Sequence, residues 1–202
     1  SLSDLDVKDQ VVIVRADLNV PMSEGRVTDN TRIQSVTPTL LALSKSGAKI
    51  LVVSHFGRPK GKVVPEMSLK PLTSPLSEVL GRPVQFVPDC IGAPVGDMCS
   101  KMLAGDIVLL ENVRFHAGEE KNDPAFAKAL AEHADIYVSD AFSCAHRAHA
   151  STEGIARILP SAAGLAMEAE LKALEKALGN PVRPVAAVVG GAKISTKLDV
   201  LN

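Results

Sequence analysis

Five short runs of this chain are mostly apolar, with no sustained polar alternation: VVIVR (11–15), KILVVS (49–54), VQFV (84–87), DIVLLE (106–111) and DIYVSDAF (135–142). A strand with water on one side alternates apolar and polar residues. A strand that does not alternate must be covered on both faces, which places it inside a parallel sheet sandwiched by helices.

The stretches between the runs suit crossover helices. One is expected from about Thr31 to Ser46, with Pro38 inside it and Gly47 ending it. Another spans about 71–80 and stops at Gly81, and 92–103 is weakly helical. Asp123-Pro124 opens the next, with proline at the first helical position. Ser151 is expected to cap a short helix to about Ile158, and the longest helix to run over 161–178. VRPVAAVVGG then reads as a sixth strand, followed by a glycine turn and a helix from about Lys193. The fold class is α/β: a doubly wound parallel sheet, a Rossmann-like three-layer sandwich. A lone strand and helix start cannot bury their own faces. The expected organisation is therefore one lobe over 1–160, a helix and linker over 161–183, and the opening of a second lobe over 184–202, truncated before most of it. An orphan apolar strand at 184–191 is expected to be disordered, proteolysed or packed against another copy, self-associating through those residues.

Open α/β sheets bind ligands beyond the carboxyl ends of their strands. Four of the five runs lead into polar side chains there: Asp17 and Asn19, His55 and Arg58, Arg114, and Arg147. Guanidinium grips phosphate and carboxylate through paired hydrogen bonds, so a small phosphorylated acid is the implied ligand. The balance of 22 basic against 23 acidic residues, net −1, argues against a nucleic-acid partner. No apolar run reaches membrane-spanning length, and SLSDLDVKDQ lacks the features of a signal peptide. Three cysteines without a CxxC fit reduced thiols and a cytoplasmic location. Cys144, His146 and His149 have no second ligand pair, so no metal site is expected.

Several residues carry two readings. Arg32 follows Asp29, Asn30 and Thr31 at a helix start; it is either a solvated arginine or a guanidinium facing an anion that the helix N-terminus also attracts. Asp17 and Asn19 either brace their own turn or bind substrate hydroxyls. Gly57, beside Phe56, allows close backbone approach to a ligand. Gly190 and Gly191 precede Lys193 and Lys197, a pair sharing one helix face. That arrangement is either an exposed lysine pair or an anion site of free backbone N–H groups.

VRADLNVP, DNTRI, VVSHFGRP, LLENVRFH, DAFSCAHRAH and VVGGAKISTKL, in this order, resemble phosphoglycerate kinase across essentially the whole chain. The resemblance implies a glycolytic phosphotransferase with a carboxyl group as acceptor, monomeric at full length. It moves a phosphoryl group between 1,3-bisphosphoglycerate and ADP, giving 3-phosphoglycerate and ATP, with Mg2+ on the nucleotide. Two lobes close about a hinge. Carried over, Arg58, Arg114 and Arg147 hold the 3-phosphate, with His55, Phe56 and Gly57 adjoining. Asp17 and Asn19 take the hydroxyl end, and Arg32 the carboxyl or acyl-phosphate end. Arg32, Lys193 and Lys197 are the catalytic set, and Lys197, Gly190 and Gly191 meet nucleotide. Ser143 and Cys144 stand where many members carry glycine and threonine, which makes the Arg147 loop stiffer or differently shaped. Most of the nucleotide lobe lies beyond the match, so the 202 residues are expected to bind 3-phosphoglycerate without turnover. Two rival readings are a non-catalytic Rossmann-like anion-binding module and a dehydrogenase; the latter lacks a dinucleotide glycine fingerprint.

Overall fold

The computed structural model describes residues 2–179 and 181–186. The chain divides into two compact units, 1–170 and 171–202. In the first, a six-stranded parallel sheet is built from β1 (Val11–Arg15), β4 (Lys49–Val53), β5 (Gln85–Val87), β6 (Ile107–Leu110), β7 (Ile136–Ser139) and β8 (Ser161–Ala163). Its order is β5-β6-β4-β1-β7-β8. A small antiparallel hairpin, β2 (Met22–Ser23) and β3 (Arg26–Val27), hangs on the loop after β1.

Alternate residues of each strand enter different cores. Val12, Val14, Ile50, Val52, Ile107 and Leu109 pack with Ile33, Val36, Leu40 and Leu43 of α1 (Thr31–Lys45) and Leu76 and Leu80 of α2 (Thr73–Leu80). Ile13, Leu51, Val53, Val108 and Leu110 pack on the opposite face with Val95 of α3 (Ala93–Cys99) and Phe126 and Leu130 of α4 (Pro124–Ala131). This double covering is what the uninterrupted apolar runs require.

Helix ends follow local chemistry. The Asp29 carboxylate accepts from the Thr31 amide at 2.7 Å before α1. Asp123 accepts from the amides of Ala125 and Phe126 at α4. Gly81 ends α2 in the left-handed region at φ +65°. α1 continues through Pro38, at the expense of one backbone donor.

Three expectations need correction. Residues 161–163 form a strand rather than the first turn of a helix, because β7 offers an open edge: Tyr137, Val138 and Ser139 register with Ser161, Ala162 and Ala163. The helix begins afterwards as α5 (Leu165–Leu174), where Asp140 accepts from the amides of Ala166 and Met167 at 2.9 and 3.0 Å. Ser151 does not cap the helical segment Ala150–Gly154; its hydroxyl is committed to a buried glutamate. In the second unit a π-helical turn, Glu175–Gly179, is described, and residues 182–186 carry no strand. The rest of the expected sixth strand, with Gly190, Gly191, Lys193 and Lys197, lies outside the described residues.

Candidate functional site

The parallel register puts the carboxyl ends of β1, β4, β6 and β7 on one side of the sheet. The loops leaving those ends interlock through hydrogen bonds. Ser54 Oγ accepts from the Leu18 amide at 2.9 Å, Asn19 Oδ1 accepts from the Gly57 amide at 3.0 Å, and the Gly57 carbonyl accepts from Arg114 Nη1 at 2.9 Å. Asn112, fully enclosed, donates from Nδ2 to the carbonyls of Phe56 and Met67 and accepts the Arg114 amide on Oδ1.

Gly57 has φ +61°, and a Cβ there would lie 2.8 Å from Met67 Sδ. The backbone can turn there because no side chain opposes it.

Asp17 is the acidic member of the crevice. Its Oδ2 accepts from Ser143 Oγ at 2.5 Å and from Arg32 Nη1, and its Oδ1 from the Asn19 amide at 3.1 Å. Burial pushes the Asp17 carboxyl up, but the bonds from Ser143, Arg32 and Asn19 outweigh it and hold the group below the ordinary aspartate value. Arg114 is buried, with its Nε 3.5 Å from Glu120 Oε1 and without a hydrogen-bond partner. Burial lowers its pKa, against the pull of Glu120. Arg147 donates from Nε to His146 Nε2 at 3.2 Å. Arg58 is exposed and has no hydrogen bond or ion pair among the described residues.

His55 is buried, and its pKa is lowered to about 3 by burial and then by the charges of Arg15 and Arg114, with Arg147 adding to them and Asp17 opposing. Asp17, Asn19, Arg32, His55, Phe56, Gly57, Arg114 and Arg147 thus come together at one sheet end, with Arg58 beside Gly57.

Four contributors escaped the sequence reading. Arg15, the last residue of β1, is buried and holds His55; Ser143 contributes a hydroxyl to Asp17; Asn112 ties the loop after β6 to the one after β4; and Glu119 is an enclosed carboxylate accepting from Ser151. A charge at the end of an otherwise apolar strand was the available signal for Arg15, since a buried charge needs partners. Among the described residues, Asp89, Cys90 and His116 have ligand atoms within 4.8 Å of one another, whereas Cys144, His146 and His149 form no such group. Asp89 Oδ1 is already taken by His116 Nε2 at 2.8 Å and the Cys90 amide at 2.7 Å. Burial, followed by the nearby charges of Asp89 and Glu119, pushes the Cys90 thiol well up, away from the thiolate a metal needs.

A model of the phosphoglycerate kinase family matches residues 2–202. The chain is 61% identical over 196 residues to a phosphoglycerate kinase of Agrobacterium fabrum, covering 97% of this chain and 49% of that protein. It is 58% identical over 202 residues to one of Brucella melitensis, covering 100% and 51%. Solved structures of phosphoglycerate kinases from Coxiella burnetii and Pyrococcus horikoshii superpose with TM-scores of 0.87 and 0.89 at 40% and 33% identity. They cover 98% and 99% of this chain and 50% and 51% of theirs. The chain spans about half the length of the relatives it matches.

Proposed function

The chain belongs to the phosphoglycerate kinase family, and from that premise we propose that its crevice holds the glycerate side of a reversible phosphoryl transfer. The reaction joins 1,3-bisphosphoglycerate and ADP to 3-phosphoglycerate and ATP. The observation that carries this reading is the convergence of Arg114, Arg147 and His55 on one sheet end beside Asp17 and Asn19.

Each side chain has a role suited to its bonds. Arg58, Arg114 and Arg147 neutralise the 3-phosphate. Asn19 is oriented by the Gly57 amide on its carbonyl oxygen, which leaves its amide N–H groups for the ligand. Asp17 accepts from the ligand hydroxyl. Arg32, exposed on one side, meets the carboxyl or acyl-phosphate end. Phosphoryl transfer needs placement and charge neutralisation more than covalent help. Lobe closure would align the reactants and exclude water from the acyl phosphate.

The nucleotide, with Mg2+ on its phosphates, meets Gly190, Gly191 and Lys197, and Lys193 and Lys197 reach the transferring phosphoryl group; all four residues lie outside the described ones. Asp17, the acidic group among these side chains, is engaged by Ser143 and Arg32 rather than free for the ion. The lobe and linker divisions at 160 and 183, a cytoplasmic setting and a monomeric full-length enzyme complete the proposal. Among the described residues no helix is long and apolar enough to cross a membrane. A polypeptide of these 202 residues alone is expected to bind 3-phosphoglycerate without turnover.

The test is calorimetric titration with 3-phosphoglycerate, beside Arg58→Ala. Arg58 has no partner among the described residues, so its removal leaves the fold's bonds intact. Loss of one charge-assisted contact should weaken binding about 10- to 100-fold. Equal affinity of parent and variant would remove Arg58 from the site. Absence of binding by a folded full-length protein would overturn the glycerate reading.

A further inference from the structure

We propose that Arg15 is a positioning residue that fixes His55 as a neutral imidazole, its single proton on Nε2 and presented to an oxyanion in the crevice. The starting point is a hydrogen bond of 3.0 Å between Arg15 Nη2 and His55 Nδ1. Arginine is a donor only and keeps its proton in proteins. Nδ1 therefore supplies the lone pair, and the ring's proton resides on Nε2. A second proton on Nδ1 would face a guanidinium N–H.

Arg15 is itself held from all sides. It is 1% exposed. Its Nε donates to Ser151 Oγ at 2.9 Å, Nη1 donates to the Ala16 carbonyl, and Nη2 also lies 3.8 Å from Cys144 Sγ. Ser151 passes the contact on: its Oγ donates to Glu119 Oε1 at 2.6 Å, and its amide to Oε2 at 2.9 Å. Glu119 is 0% exposed. The guanidinium's charge is thus balanced through a serine hydroxyl by an enclosed carboxylate, and among the described residues no carboxylate binds Arg15 itself to weaken its grip on the imidazole.

The free side of the ring completes the argument. Among the described residues His55 Nε2 has no hydrogen-bond partner, and it is not sealed from solvent. The charged groups that bear on the ring are Arg15 from β1, Asp17 from the loop after it, Arg114 from the loop after β6 and Arg147 from the loop after β7. Three of the four are cationic. An open N–H among cations serves an anionic acceptor, and a neutral imidazole does so without adding a charge that unliganded arginines would repel.

The lock itself rests only on the Arg15 contact; what the proton serves rests on the anion-binding reading of the crevice. The experiment is nitrogen-15 NMR of the histidine-labelled chain, with His55 assigned through His55→Gln. In the parent, Nδ1 should be unprotonated and Nε2 protonated at pH 7, with no imidazolium forming down to about pH 4. Adding sulfate, which does not titrate in this range, should shift the Nε2–H resonance. In Arg15→Gln the ring should show mixed tautomers and titrate closer to the ordinary 6.5.

A parent His55 carrying its proton on Nδ1, or becoming imidazolium near pH 6.5, overturns the proposal, and this arm needs no variant of Arg15 to fold. Unchanged tautomer and titration in a folded Arg15→Gln overturns the assignment to Arg15. Sulfate that leaves Nε2–H untouched overturns the oxyanion half. Failure of 3-phosphoglycerate to bind while sulfate still shifts Nε2–H would instead count against the glycerate reading alone.

Discussion

Asn112→Ala is the substitution whose cost can be worked most directly from the structure. The side chain is 0% exposed. Its Nδ2 bridges the Phe56 carbonyl at 2.8 Å and the Met67 carbonyl at 2.9 Å, and its Oδ1 accepts the Arg114 amide at 3.1 Å. Truncation therefore strands two carbonyls and one amide in a buried junction of two connections, β4 to α2 and β6 to α4. Each stranded group costs about 1–3 kcal/mol, and taking the low end for groups that can partly recruit water gives about 3–4 kcal/mol in all. With a urea slope of about 2 kcal/mol per molar, the midpoint should fall by roughly 1.5–2 M. The thermal midpoint should fall by roughly 6–16 °C, at about 2–4 °C per kcal/mol for a chain of this size. Asn112→Asp separates hydrogen bonding from volume. It keeps the shape but sets a carboxylate oxygen against two carbonyl oxygens, so it should be at least as damaging as alanine. Urea denaturation followed by far-ultraviolet circular dichroism at pH 7 reads both. An aspartate variant within about 1 kcal/mol of the parent would show that the loops are not held by this amide.

Gly57→Ala should cost about 1–2 kcal/mol for the left-handed backbone alone. Displacement of Met67 adds to it, and urea midpoints check the sum; no loss would mean the loop is free to rearrange. His55 has a folded pKa of about 3 against an ordinary 6.5, so below 6.5 the unfolded chain takes up a proton that the folded one refuses. Stability should therefore fall as pH drops from 6.5 toward 3, by a few kcal/mol more in the parent than in His55→Gln, and identical acid limbs would contradict this. Asp140 is raised above 3.8 by burial, against bonds from Thr39 and the Met167 and Ala166 amides, so its charge is unfavourable in the fold and relieved as pH falls. Asp140→Asn keeps an acceptor for α5 and should be as stable as the parent or up to about 1 kcal/mol more so at pH 7, the gap closing toward acid pH; a loss above about 1 kcal/mol would refute it.

The central strands were legible because their demand is global: a run such as VVIVR has no polar alternate to give to water, and only two-sided cover satisfies it. β8 was not, since SAA is too short for a pattern and alanine favours helix. What decides it is the open edge of β7, a partner that a local window does not contain. The crevice split the same way. Asp17, His55 and Arg114 were found because they follow strand ends. Arg15 was passed over because it ends a strand, and its justification, Ser151 and Glu119, comes from loops far along the chain. Ser143 was weighed for the backbone freedom it lacks, whereas the structure uses its hydroxyl on Asp17.

The two outer strands of the sheet, Gln85–Val87 and Ser161–Ala163, are three residues each. A parallel sheet with a core this apolar would be a hazard if its margins were long, since unpaired backbone groups recruit strands from other chains. Here each margin offers a foreign strand only a few hydrogen bonds, and one margin presents nothing larger than serine and alanine. The same brevity that hid β8 from a reading of the sequence makes the sheet a poor template for aggregation, and it leaves intact the central strands that carry the crevice loops.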